Sequence, residues 1–186
     1  EEIRAIAEKN GFFNADKPDS QDICFVTNGD YGDFLEKFRG KPYPEGHFVD
    51  ESGQKLGKHR GIVRYTIGQR KGLGLALKEP MYVVGKDLGK NQVILSTKEG
   101  LHSEGLLAYD FNWISMDPPK TEYPVTAKTR YNAKPVPAFV SCEEDGTVKV
   151  RFEKPERAVA PGQAVVLYDG DIVVGGGTIK QALKKV

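Results

Sequence analysis

The sequence predicts a mainly β protein with two short N-terminal helices. Three observations carry that expectation. Helical periodicity is confined to the residues before Pro42, Gly and Pro punctuate short strand-length runs from there onward, and the part after about Gly105 has the even spacing of a small barrel or sandwich.

Taken in order, Ile3, Ile6 and Ala7 share one face of a helix over Glu2–Lys9, and Gly11 is placed to end it in the left-handed conformation that glycine adopts most easily. No N-cap precedes this helix, so it reads as the tail of a larger domain and the chain as a piece of a longer protein. Phe12–Ser20 is turn-rich, and Gln21–Val26 (QDICFV) is a short apolar run with Cys24 between Ile23 and Phe25. Asp30 is a suitable N-cap for a second helix, Tyr31–Arg39, in which Tyr31, Phe34, Leu35 and Phe38 recur at helical spacing before Gly40. Three hairpins follow. Met81–Lys86 and Gln92–Ser96 flank DLGKN, Ala138–Cys142 and Thr147–Phe152 flank EEDG, and Ala164–Tyr168 and Ile172–Val174 flank DGD. Val125–Tyr131 alternates as a strand, with Lys128 and Arg130 on one face and Val125, Ala127, Thr129 and Tyr131 on the other.

With 39% hydrophobic and 10% aromatic residues, the 186-residue chain has enough apolar surface for real cores, which excludes disorder as the default. Two cysteines far apart cannot staple a secreted scaffold, so a reducing cytoplasmic setting with free thiols is expected. No apolar run approaches the roughly 20 residues that span a bilayer, and the start is neither a signal nor a transit peptide, so no membrane partner is expected.

The net charge of +1 hides an uneven distribution. Residues 1–54 hold 6 basic and 12 acidic side chains, residues 55–90 hold 9 and 2, and residues 91–186 hold 12 of each. A basic middle block is a prior for a polyanionic partner. There Lys55, Lys58, His59, Arg60, Arg64, Arg70 and Lys71 are interleaved with glycines that let a phosphate approach the backbone, although an ordinary solvated surface has the same composition. Tyr65 beside Arg64 and Tyr131 beside Arg130 add the stacking rings that unpaired RNA uses.

Other candidates carry less. Cys24 is either a small hydrophobe in a buried strand or a reactive thiol, and Asp19 and Asp22 nearby raise a thiol pKa rather than lower it. Cys142 reads as structural. His47, His59 and His102 are scattered without metal-ligand spacing and are expected on solvated loops, so no metal site is expected. Gly68–Gly74 and Gly175–Gly177 match no nucleotide-binding fingerprint, and the second reads as a bend in a barrel strand.

Six strings occur in order along the chain: KPDSQDICFV (Lys17–Val26), GDYGDFL (Gly29–Leu35), YTIGQRKGLGL (Tyr65–Leu75), EPMYVV (Glu79–Val84), RYNAKPVPA (Arg130–Ala138) and ERAVAPGQAVVLYDGDIVVGGGTI (Glu156–Ile179). Together they resemble the tRNA-specific 2-thiouridylases of the MnmA/TrmU type. The resemblance implies the end of a PP-loop catalytic domain over residues 1–28, a small central α+β domain contacting tRNA over 29–104, and a β-barrel like the second domain of elongation factor Tu over 105–186.

It also implies the chemistry. Members of that family replace the C2 oxygen of the wobble uridine in glutamate, glutamine and lysine tRNAs by sulfur, after ATP-dependent adenylation in the PP-loop domain. A persulfide sulfur, accepted from a cysteine desulfurase or sulfur-relay protein, is delivered by two cysteines that can afterwards join in a disulfide. Cys24 matches the persulfide cysteine. Arg130, Tyr131 and Gln163 match residues that hold tRNA, and Gln69, Arg70 and Lys71 are added here as backbone contacts. The chain has no SGGxDS-type PP-loop and lacks the other cysteine, so ATP with Mg is expected to bind outside these residues and the chain alone to be inactive. Two rival readings remain open: a non-catalytic RNA-binding module with a translation-factor-like barrel, and a thiol redox protein using Cys24 and Cys142.

Overall fold

Helical structure ends before Pro42, and the first strand begins at Gly46. The computed structural model describes residues 2–16, 26 and 31–184, in two units, Glu1–Pro42 and Tyr43–Val186. The run Gln21–Val26, the Asp30 cap and Cys24 lie outside the described residues, Val26 excepted.

In the first unit, helix α1 spans Glu2–Lys9 and helix α2 spans Tyr31–Arg39. Both end as glycine dictates. Gly11 and Gly40 have φ of 70° and 74°, and the Gly11 N–H donates to the Glu8 carbonyl at 2.9 Å. The spacing of Tyr31, Phe34 and Phe38 stacks their rings along one face of α2, with centroids 6.3 and 6.5 Å apart.

The second unit begins with a small sheet. Strands β1 (Gly46–Val49), β2 (Lys55–His59), β3 (Tyr82–Asp87) and β4 (Gln92–Ser96) lie in the order β2-β1-β4-β3, with β1 and β4 parallel and the other pairs antiparallel. Asp50 makes the first turn: its Oδ1 accepts from the backbone N–H of Ser52 and of Gln54, each at 2.9 Å, and from the Ser52 hydroxyl at 2.6 Å. The Ser52 hydroxyl bond, followed by these backbone donors, holds the Asp50 carboxyl below its ordinary pKa. The core is Phe48, Val83, Val93 and Leu95, fully buried, with Ile62, Tyr65 and Leu73 from the long β2–β3 connection.

His59 sits inside this core rather than on a solvated loop, and His47 and His102 lie on strands too. The loop expectation fails because neither the short strands of His47 and His59 nor the residues from His102 onward carry an alternation long enough to be read. The His59 ring meets Phe48 and Tyr65 edge-on, with centroids 5.6 Å from each. Its Nδ1 accepts from the Gly61 N–H at 3.2 Å and its Nε2 donates to the Asn91 carbonyl at 3.2 Å, an arrangement that only the neutral ring satisfies. Asn91, left-handed at φ 51°, ties the edges together: the same carbonyl accepts from the His47 N–H, and its side-chain Nδ2 donates to Pro44 and Glu45.

After a 3-10 turn over Glu99–Leu101, six antiparallel strands close a barrel in the order β10-β5-β8-β7-β6-β9: β5 (His102–Trp113), β6 (Tyr123–Lys128), β7 (Val136–Cys142), β8 (Val148–Arg157), β9 (Ala164–Asp169) and β10 (Ile172–Leu183). Leu106, Val140, Val148, Val150, Val165 and Leu167 are completely buried within it. Strand β5, unmarked in the sequence, runs twelve residues. Strand β10 continues nine residues past the expected Val174, because the glycines bend it instead of ending it. A Cβ at Gly175 or Gly177 would stand 2.7 Å from the Phe111 ring, so these positions let β10 press onto β5.

Burial lowers the His59 pKa, more than its bond to the Asn91 carbonyl raises it. The ring is therefore neutral when folded and takes up a proton on unfolding near pH 6.5. Stability is full above pH 6.5 and declines as pH falls below it, by at most about 1.4 kcal/mol per pH unit, the limit for one proton. Urea melts followed by circular dichroism between pH 7.5 and 5 should show this slope, flattened in His59→Phe; parallel profiles for the two proteins would contradict it.

Candidate nucleic-acid interface

Strand β8 buries Val148, Val150 and Phe152 on alternate positions, then runs on to pair with the start of β5, Glu156 opposite Ser103 and Arg157 opposite His102. At Ala158 the chain turns left-handed, with φ of 53°, and its N–H donates to the Leu101 carbonyl at 2.9 Å. A non-glycine residue there costs on the order of 1–2 kcal/mol of backbone strain. The methyl group offsets part of that by packing. Ala158 and Val159 are each only 4% exposed, and a Cβ added at Gly68 would stand 3.2 Å from that of Ala158. The barrel and the small sheet thus meet where the loop around Gly68 lies on the exit of β8.

That loop is braced along its length. The Gly68 N–H donates to the Val83 carbonyl at 2.8 Å and the Val83 N–H donates to the Gln69 carbonyl at 2.9 Å, fixing the loop to β3. The Gln69 side chain, expected to face RNA, is turned onto the loop instead: its Oε1 accepts from the Thr66 N–H and its Nε2 donates to the Lys71 carbonyl, both at 3.0 Å. Arg70 and Lys71 project exposed from the braced loop. Arg70 also lines an open pocket of about 430 Å³, together with Leu73, Leu75, Lys78 and Met81.

Arg130 reaches the same exit segment from the barrel. Its guanidinium donates to the Arg157 carbonyl at 2.9 Å and stands 3.9 Å from the Glu156 carboxylate. The expected strand through Tyr131 ends early, at Lys128. Val125, Ala127 and Thr129 point inward as read, but a turn closed by the Ala133 N–H onto the Arg130 carbonyl breaks the alternation. Tyr131 is 91% exposed as a result, with the Lys128 ammonium 5.7 Å from its ring centroid. β6 pairs with β9 up to Lys128 opposite Val166, so Arg130 and the start of β9 share one end of the barrel. Gln163 sits exposed at that start, its backbone bound to Ala160 and Ile179.

The structure therefore brings Arg130 and Gln163 to residues 156–163 and lays Gly68, at the start of the loop that carries Arg70 and Lys71, against Ala158. It adds two that sequence reasoning passed over, Arg157, whose guanidinium lies 5.6 Å over the Tyr82 ring, and Lys128. Arg157 stands within a motif already quoted, but its ring partner is brought to it only by folding. Cys142 is half-buried at the end of β7. Among the described residues no three His, Cys, Asp or Glu side chains stand together as metal ligands, and no helix is long and apolar enough to cross a membrane.

Three family models of one series match successive parts of the chain: a tRNA methyl transferase HUP domain over residues 1–28, a tRNA methyl transferase PRC-barrel domain over 32–97 and an aminomethyltransferase beta-barrel domain over 103–179. Among similar proteins, the tRNA-specific 2-thiouridylase MnmA of Acetivibrio thermocellus is 53% identical over 97% of this chain, and that of Clostridioides difficile 46% over 97%. The tRNA-specific 2-thiouridylase MnmA 1 of a Thermoanaerobacter species is 48% identical over 99%. The chain spans about half the length of each of these relatives, 50% in all three.

Replacing Gly68 by Ala places a side chain at φ 89° and against Ala158, whereas the same change at Gly53, φ 87°, meets nothing within 4 Å. Both substitutions carry the left-handed penalty of roughly 1–2 kcal/mol, so the excess loss in Gly68→Ala measures the crowding at the seam. Chemical denaturation should show Gly68→Ala to be the less stable of the two; equal losses would mean that the seam yields without cost.

Proposed function

The chain belongs to the tRNA-specific 2-thiouridylase family, and from that premise we propose that it supplies the persulfide cysteine and the tRNA-holding surface for wobble-uridine 2-thiolation of glutamate, glutamine and lysine tRNAs. The observation that supports this most is the contact of the Gly68 loop, which carries Arg70 and Lys71, with the segment that holds Arg130, since a folded RNA needs cations spaced over a broad face rather than one local cluster. Arg130, tethered through one Nη to the Arg157 carbonyl and beside the Glu156 carboxylate, would turn its other N–H groups to phosphate. Tyr131 offers an exposed ring for stacking, and Gln163 both a donor and an acceptor for a base edge or 2′-hydroxyl.

Cys24 is the proposed sulfur carrier. Its thiolate attacks the outer sulfur of a donor persulfide, forming a new S–S bond as the donor's S–S bond breaks and the donor leaves as thiolate. The exchange is redox-neutral and needs a cysteine desulfurase or relay protein as the partner. ATP with Mg belongs to a PP-loop that is not among these 186 residues, so the residues present do not fit that group and no step of theirs runs through it. The setting proposed is the cytoplasm, where thiols stay reduced.

Incubating the chain with a cysteine desulfurase and cysteine, then measuring peptide masses without reductant, should find one added sulfur on the Cys24 peptide. Cys142→Ser should leave it and Cys24→Ser abolish it. A persulfide that persists in Cys24→Ser removes the assigned role, and none in the parent protein favours the RNA-binding module without sulfur chemistry.

A further inference from the structure

Gln69 is the polar residue of the basic loop whose amide is spent, at both ends, on the loop's own backbone. Oε1 takes the Thr66 N–H and Nε2 gives to the Lys71 carbonyl, so one side chain spans the loop from its entry to the residue it presents. Turning the amide over would set donor against donor at Thr66 and oxygen against oxygen at Lys71, so its orientation is fixed by both partners. The same residue is held through its backbone. Its N–H donates to the Thr66 carbonyl at 2.9 Å and its carbonyl accepts from Val83 of β3, next to Gly68, which lies against Ala158.

We propose that Gln69 is a positioning residue for tRNA binding: it does not touch RNA but locks the Thr66–Lys71 turn so that Arg70 and Lys71 stand as fixed phosphate donors beside the seam. The proposal rests on the RNA-binding reading given above. A long cationic side chain on a free loop loses conformational entropy on meeting a phosphate. One on a turn closed by two side-chain bonds and two strand bonds loses less. Hydrophobic or carboxylate replacements cannot serve. Met fills the space without either bond, and Glu keeps the acceptor for Thr66 but sets an oxygen against the Lys71 carbonyl.

The experiment is binding of the chain to a transcript of a tRNA with uridine at the wobble position, followed by fluorescence anisotropy across a salt series. The variants are Gln69→Met, Arg70→Ala/Lys71→Ala and the triple combination. The arginine–lysine double variant should weaken binding and reduce the slope of log K against log salt by roughly 0.7–0.9 for each phosphate that is no longer neutralised. Gln69→Met, with no charge removed, should reduce the slope in the same direction and add nothing in the triple variant. A merely structural glutamine would leave the slope unchanged. Gln69→Met that weakens binding equally in both backgrounds means that the amide contacts RNA itself and overturns the proposal, as does Gln69→Met that binds as the parent does. An arginine–lysine variant with parental affinity overturns the loop's RNA contact and with it the role of Gln69, while Arg130→Ala in the same assay tests the wider surface separately.

Discussion

The left-handed turn at Ala158 is the constraint on which the second unit depends. It ends β8, passes its N–H to the Leu101 carbonyl where the chain crosses from sheet to barrel, and sets a methyl group against Gly68. Glycine would adopt φ 53° with less strain, but it would leave the Gly68 loop facing a gap. Alanine here exchanges backbone strain for packing, and Gly68 takes the complementary position with no side chain. Because Arg130 donates to the Arg157 carbonyl next to that turn, the placement of Ala158 also sets where a cation of the barrel stands relative to the cations of the loop.

Each half carries its own lock, made from the opposite kind of chemistry. The sheet closes through a polar residue in an apolar core: His59 fills the space against Phe48 and Tyr65 and satisfies both ring nitrogens, whereas an aliphatic residue of similar volume would leave the Gly61 N–H unpaired and the Asn91 carbonyl with the His47 N–H alone. The barrel closes through missing side chains. At Gly105 a Cβ would come 2.4 Å from the Val150 carbonyl oxygen, and bulges on β10 at Val173/Gly175 and Gly176/Thr178 turn that strand around the curve.

Much of this is legible in the sequence where a local signal exists. The β3–β4, β7–β8 and β9–β10 turns are written in Asp, Gly and Asn; Asp145, for one, accepts from both the backbone and the hydroxyl of Thr147. The two helices announce themselves by spacing and terminal glycine. What escapes are features with only non-local causes: β1, short and paired in parallel with β4; β5, whose mixed sequence is a strand because two neighbours hold it; and the burial of His59. The candidate site divides in the same way. Arg130, Tyr131, Gln163 and the Arg70 loop come from recognisable strings, whereas their meeting around residues 156–163 depends on residues about 90 positions apart in the chain coming together. The turn of Gln69 onto its own loop is equally hidden, because a glutamine in a basic string reads as a ligand-facing residue until its two backbone partners are placed.

A surface assembled at a seam behaves differently from two adjacent binding modules joined by a tether. If its cations keep a fixed spacing, the proposed RNA would engage them in one event rather than in two linked ones. Hydrogen exchange of the chain with and without a tRNA transcript tests that claim directly. Residues 66–71, 129–131 and 160–163 should slow together, with the same dependence on tRNA concentration and on salt, while the Glu143–Gly146 turn is unaffected. Slowing of the loop without the barrel segments, or of the two at different tRNA concentrations, would contradict a single shared surface.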